Sequence, residues 1–159
     1  MTGKTDVTLA VNGKDYAVRV EPRRTLADTL RDECGLTGTN SGCEHGVCGS
    51  CTVLVDGEPV RSCLMFAIQA QGKKIRTVEG LADGDKLHPL QQAFIDHHGL
   101  QCGFCTPGFL MLAVGTLERE PDISDEALLD VLSSNLCRCT GYQNILKAVR
   151  AAAAQMRAR

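Results

Sequence analysis

Residues 42–51 read GCEHGVCGSC, three cysteines spaced among glycines, and the next eleven residues, TVLVDGEPVRS, end at a fourth cysteine, Cys63. That interval is the length of one β-hairpin. Residues 52–55 are β-branched or apolar, Asp56-Gly57 is a two-residue hairpin turn, and residues 58–61 run back. With such a turn, position 51 faces position 62. The returning strand therefore sets Cys63 beside the loop that carries Cys43, Cys48 and Cys51.

Upstream, Val7, Leu9 and Val11 alternate with polar residues, Asn12-Gly13 supplies a turn, and Tyr16, Val18 and Val20 alternate again. Thr25 caps a short helix running to Arg31 or Asp32, with Leu26 and Leu30 on one face and Gly35 beyond its end. Residues 74–78 add a further strand. The first half is thus a small mixed sheet with one helix against it.

A second quartet, Cys102, Cys105, Cys137 and Cys139, is spaced Cys-x2-Cys-x31-Cys-x1-Cys. From Leu81 the pattern is helical, with Asp83-Gly84-Asp85 marking a linker. The spacing predicts domains at 1–80 and 81–159. Pro89 opens a helix carrying Leu90, Ala93 and Phe94, which Gly99 ends. Thr106 is expected as the N-cap and Pro107 as the first residue of the next helix, with Leu110, Val114 and Leu117 buried and Pro121 as its stop. Ser124 caps a return helix bearing Leu128, Leu129 and Leu132. At about 12 residues each, these helices travel roughly 18 Å out and back. The x31 gap is a helical hairpin that returns Cys137 and Cys139 to Cys102 and Cys105. A last helix, 143–156, with Ile145, Leu146 and Val149 inward, completes a four-helix bundle. The fold class is α+β.

The chain has 159 residues, a net charge of -2, no basic stripe and 4% aromatics, which argues against nucleic acid as a partner. Its longest apolar run, residues 109–114, is far short of the roughly 20 residues of a membrane span, so no membrane insertion is expected. The start, MTGKTDVTLA, has no export-signal pattern, so a reducing, cytoplasmic setting is the expectation. Disulfides fit poorly with nine cysteines and with two as close as Cys137 and Cys139. Zinc competes better, because Cys-x2-Cys units also build structural zinc sites. Gly42, Gly46 and Gly49 favour iron-sulfur instead, since they let the loop aim N–H groups at cluster sulfurs. The first quartet has the spacing of a plant-type ferredoxin loop. Helices starting near Pro107 and Gly141 would point positive dipole ends at the second quartet.

GCEHGVCGSC, RSC, QCGFCTPG and NLCRCTGYQNI occur in that order over nearly the whole chain. On these motifs the sequence resembles the small iron-sulfur subunit of the molybdenum hydroxylases, the xanthine oxidase, carbon monoxide dehydrogenase and isoquinoline oxidoreductase family. The resemblance implies an N-terminal plant-ferredoxin-like β-grasp domain followed by an all-α four-helix-bundle domain, each holding one 2Fe-2S cluster. Cys43, Cys48, Cys51 and Cys63 match the ligands of the first cluster, and Cys102, Cys105, Cys137 and Cys139 those of the second. It further implies a large molybdopterin-binding subunit, with the pterin in a dinucleotide form, and a medium FAD-binding subunit. Gln101 matches a residue that hydrogen-bonds the pterin, and Cys139 the ligand nearest it. This chain then relays electrons and performs no chemistry on substrate. A free-standing two-cluster ferredoxin or redox-sensing module, and a zinc-stabilised interaction protein, are the competing readings.

Cys34 reads as a buried, inert thiol at a helix end, and a lone His45 as a solvent- or partner-facing residue. His97 and His98 suit a helix C-terminus. Arg138, between two thiols, either offsets cluster charge or faces solvent or a partner. The alanine-rich tail reads as a helix end with favourably placed basic residues.

Overall fold

The computed structural model describes residues 3–158, so Arg159 of the tail and the first two residues lie outside the described residues. Strands β1 (Thr5–Val11) and β2 (Lys14–Val20) form the expected hairpin, with Asn12 and Gly13 at φ 51° and 79°. Both central residues have positive φ, the turn geometry that matches strand twist. Helix α1 (Leu26–Asp32) starts at Thr25, whose side chain accepts from the Asp28 amide, and buries Leu26 and Leu30. Strands β3 (Thr52–Val55) and β4 (Glu58–Arg61) form the second hairpin about Asp56-Gly57, followed by β5 (Lys74–Arg76).

The sheet order is β2-β1-β5-β3-β4, with β5 parallel to β1 and antiparallel to β3. Strand β5 is shorter than the expected 74–78 because Thr77 leaves the ladder, its amide donating to Asn12 Oδ1. Cys63 sits in a short 3-10 turn, Ser62–Leu64, rather than on the strand itself. The facing of positions 51 and 62 holds: the Ser62 amide and hydroxyl donate to the Cys51 carbonyl at 3.3 and 2.6 Å.

The helical part comprises α2 (Pro89–Asp96), α3 (Thr106–Arg119), α4 (Asp125–Ser133) and α5 (Gln143–Arg157). Helix α2 is capped by His88, and the Gly99 amide closes on the Phe94 carbonyl at 2.8 Å. Two expectations need correction. Cys105, rather than Thr106, is the N-cap of α3, which moves Pro107 to the second position, where its missing N–H is still no loss. Of the leucines on α4, Leu128 and Leu132 are buried, whereas Leu129 faces away from them and is 43% exposed. Helices α3 and α4 have 14 and 9 residues rather than equal lengths. The return to the starting end is completed by irregular chain at 134–136.

Helix α3 is buried along an unbroken run of ten residues, Gly108 through Leu117. An apolar surface all round a helix calls for neighbours all round. Helices α2 and α4 supply one side, and β3 and β4 of the sheet supply another. Strand β3 meets this demand by its period of two. Leu54 joins the helical core, whereas Val53 and Val55 join the core beneath α1 on the opposite face. Gly115 permits the close approach, since a Cβ there would lie 2.6 Å from Leu54 Cδ2 and 2.7 Å from Pro59 Cγ. The sheet and helices therefore share a packed interface. It is rimmed by Arg76–Glu118 and Arg119–Glu58 ion pairs, exposed enough to contribute at most about 1 kcal/mol each. Among the described residues no helix is long and apolar enough to cross a membrane.

Candidate metal centres

The loop at 42–51 holds its thiols by backbone amides. The Cys48 amide donates to Cys43 Sγ at 3.4 Å. With further help from the amides of His45 and Val47 and from the Cys48 thiol, it draws the Cys43 thiol down to about 6. Each N–H favours the thiolate by placing partial positive charge against it. Gly46 and Gly49, at φ 84° and 73°, adopt the left-handed conformation that such a loop needs. Gly42 acts through space instead: a Cβ there would lie 3.2 Å from both Cys48 Sγ and Phe104 Cε1. His45 turns its Nδ1 to the Cys43 carbonyl.

Cys51 and Cys63 are buried together with Ala27, at the base of the loop. Burial, then the Cys51 thiol beside it, pushes the Cys63 thiol up to about 12, while the Gly46 amide opposes the rise. The first quartet is thus two close pairs, Cys43 with Cys48 and Cys51 with Cys63. Cys43 is near enough to Cys63 to raise it further.

The second quartet has the same two-by-two form. Cys139 Sγ lies 3.5 Å from Cys102 Sγ at the surface, and that contact raises the Cys139 thiol. Cys105 pairs with the buried Cys137. Burial and then Cys137 push Cys105 up to about 12. Burial also acts to raise Cys137, but the hydroxyl and amide of Thr140, the Cys139 amide and the Cys105 thiol outweigh it, and its pKa falls. These donors stand in the loop ahead of α5 rather than in the first helical turn that the sequence suggested. Tyr142, at φ 68°, accepts from the Cys137 amide at 3.0 Å through its hydroxyl and meets Phe109 edge-on. Thr140 and Tyr142 were not singled out by sequence reasoning; their place in CRCTGY, between a thiol pair and a helix start, is the signal that would have found them.

The structure sets Cys43 beside Cys48, Cys51 beside Cys63, Cys102 beside Cys139 and Cys105 beside Cys137, and all nine cysteines are free. Cys34 stands apart. It is half-buried, and burial, followed by the charge of Glu33, pushes its thiol up to about 11. Gln101 is exposed beside the exposed Cys102, so it shares a surface with the outer pair of the second quartet. Arg138 is exposed between Cys137 and Cys139.

The donor set suits a binuclear iron-sulfur centre, in which four thiolates divide two to each iron, with N–H and O–H groups aimed at sulfur. A tetrahedral zinc site would draw four sulfurs to about 2.3 Å from one point. Among the described residues no three His, Cys, Asp or Glu side chains are gathered as a single-ion site.

The two quartets adjoin. Gly42, Cys48 and Ser50 line one hollow of about 230 Å³ together with Phe104, Leu136 and all four cysteines of the second quartet.

Residues 9–82 match the 2Fe-2S iron-sulfur cluster binding domain family and residues 77–150 the 2Fe-2S binding domain family. The chain is 55% identical over 153 residues to the nicotine 6-hydroxylase small subunit of Paenarthrobacter nicotinovorans, covering 96% of this chain and 92% of that one. It is 56% identical over 147 residues to the caffeine dehydrogenase subunit gamma of a Pseudomonas species, covering 91% and 88%. Among solved structures, quinoline 2-oxidoreductase from Pseudomonas putida 86 superposes with a TM-score of 0.92 at 52% identity, over 98% of this chain and 97% of that one. With this similarity running end to end, the chain belongs to the family of small 2Fe-2S iron-sulfur subunits of the molybdenum hydroxylases.

Proposed function

We propose that this chain is the electron-transfer subunit of a heteromeric molybdenum hydroxylase, relaying electrons between a molybdopterin centre and FAD. The carrying observation is the division of eight thiols into four close pairs, two pairs to a site. In this reading Cys43, Cys48, Cys51 and Cys63 hold one 2Fe-2S cluster, and Cys102, Cys105, Cys137 and Cys139 the other. The clusters, when bound, supply one-electron oxidation and reduction. The chain's own part is to hold thiolates, aim N–H and O–H donors at them, and keep Cys51, Cys63 and Cys137 from water. It carries no group that acts on substrate.

Residues 1–80 form the β-grasp domain and 81–159 the helical domain, with α3 as the element that packs them together. The exposed pair Cys102 and Cys139, with Gln101 beside it, faces a large subunit carrying the molybdopterin in a dinucleotide form, with Gln101 as a hydrogen-bonding partner of the pterin. The loop at 42–51 faces a medium subunit that carries FAD. A reducing, cytoplasmic compartment suits thiols that must remain unpaired to bind iron. The relatives do not favour a free-standing ferredoxin, since three of them are named as subunits of a hydroxylase or dehydrogenase. Native purification tests the assembly: a large molybdenum-containing chain and a flavin-binding chain should co-purify. A cluster-loaded monomer as the sole native species would overturn it.

A further inference from the structure

The two quartets touch through one backbone hydrogen bond: the Leu136 amide donates to the Cys48 carbonyl at 2.9 Å. One end of that bond belongs to a cysteine of the first quartet, and the other adjoins Cys137 of the second. A continuous connection therefore runs from Cys48 Sγ through its own Cβ, Cα and carbonyl, across the hydrogen bond to Leu136, and along the main chain to Cys137 Sγ.

Asn135 adjoins both partners. It is 1% exposed, immediately precedes Leu136, and its Nδ2 donates to the carbonyl of Gly49, immediately after Cys48, at 3.4 Å. Its amide is itself tied to the Leu132 carbonyl at 3.1 Å, at the end of α4. Gly49 has no room for a side chain, because a Cβ there would collide with the Asn135 carboxamide. From the other side Gly108 of α3 presses on the same peptide, since a Cβ on Gly108 would collide with the Gly49 carbonyl. The Gly49 carbonyl also accepts from the Thr52 amide and hydroxyl at 3.1 and 2.6 Å. The Gly49–Ser50 peptide, next along the chain from the Cys48 carbonyl, is thus held by Asn135, Thr52 and α3 together.

Asn135 Oδ1 is buried and accepts no hydrogen bond among the described residues. Burying an amide with half its capacity unused is unfavourable, and a residue needed for packing alone would be apolar at this position. We propose that Asn135 is a positioning residue for electron exchange between the two clusters: it sets the Cys48–Leu136 hydrogen bond and thereby the coupling between the quartets. The exchange moves one electron from one cluster to the other, with no proton transferred and no bond made or broken.

This inference rests on the two-cluster reading, and the test separates them. The full chain is studied in its native complex, as wild type and as Asn135→Ala and Asn135→Asp. Absence of two 2Fe-2S signals in the wild type would remove the two-cluster reading itself. With both signals present, full reduction of the wild type should split them by mutual magnetic interaction. In Asn135→Ala that splitting should diminish while each cluster keeps its own g values and midpoint potential. Leu136 amide exchange in Asn135→Ala should quicken by about tenfold, the expected result of loosening one hydrogen bond. In Asn135→Asp, which keeps the shape and loses the donor, the same two changes should appear. Unchanged splitting and exchange in both variants would overturn the proposal. Should neither variant assemble, the wild type alone decides: Leu136 must exchange as slowly as the core amides of α3, and rapid exchange there overturns it.

Discussion

Thr140 donates its hydroxyl to Cys137 Sγ across 3.1 Å, and its amide reaches the same sulfur at 3.5 Å. Donors at a ligand sulfur stabilise the more negative, reduced state of a cluster and so raise its potential. Thr140→Val removes the hydroxyl donor at nearly constant shape. The midpoint potential of the second cluster should fall by about 40 mV, the one-electron equivalent of about 1 kcal/mol, while that of the first stays put. A redox titration followed by the two paramagnetic signals measures this, and an upward or equal shift of both would contradict it.

Packing of α3 on the sheet predicts an ordered pair of costs. A methyl at Gly108 meets the Gly49 carbonyl and lies 2.9 Å from Ser50 Cα, which is main chain with nowhere to go. At Gly115 the nearest atoms it meets are side-chain atoms of Leu54 and Pro59. Gly→Ala gains up to about 1 kcal/mol of helix propensity at either place. Gly108→Ala should still lose about 3 kcal/mol and Gly115→Ala about 1, against the usual overpacking range. Denaturant unfolding of the cluster-loaded chain checks the order; equal losses would place the interface elsewhere.

Cys34 should be the slow thiol. With its pKa at about 11 against an ordinary 9.0, it should react with iodoacetamide at pH 8 about a hundredfold more slowly than a free cysteine. The folded chain holds this proton more tightly than the unfolded chain. The stabilisation it brings is therefore complete below pH 9.0 and is lost as pH rises through about 11. Mass spectrometry of a timed labelling series reads the rate, and labelling as fast as that of a small-molecule thiol would contradict the burial argument.

Helix α4 depends on its cap. Ser124 Oγ accepts from the Ala127 amide at 3.2 Å, with Asp125 and Glu126 in the first turn. Ser124→Ala should destabilise the chain by about 1 kcal/mol and leave both clusters spectroscopically unaltered. Thermal unfolding and the absorption spectrum together check this.

Both hairpins were legible because Asn12-Gly13 and Asp56-Gly57 carry their turn geometry in two residues, and the interval to Cys63 followed from strand pairing. The eight thiols were legible for the same reason: each quartet's spacing is one out-and-back path. What the sequence reading missed lies between the halves. For residues 109–114 the sequence reading gives a helix with one buried stripe, Leu110, Val114 and Leu117, although an apolar run bounded by Gly108 and Gly115 also marks a helix packed on both sides. Asn135 gave no local signal, since its role is defined by Gly49, 86 residues away.

Iron and acid-labile sulfide analysis of the natively purified chain, read alongside spectroscopy of its fully reduced state, tests the central claim most directly. The account predicts a coloured protein with about four irons and four sulfides, two of each per cluster, and two distinguishable paramagnetic signals. A colourless chain holding stoichiometric zinc, without iron or sulfide, would contradict it.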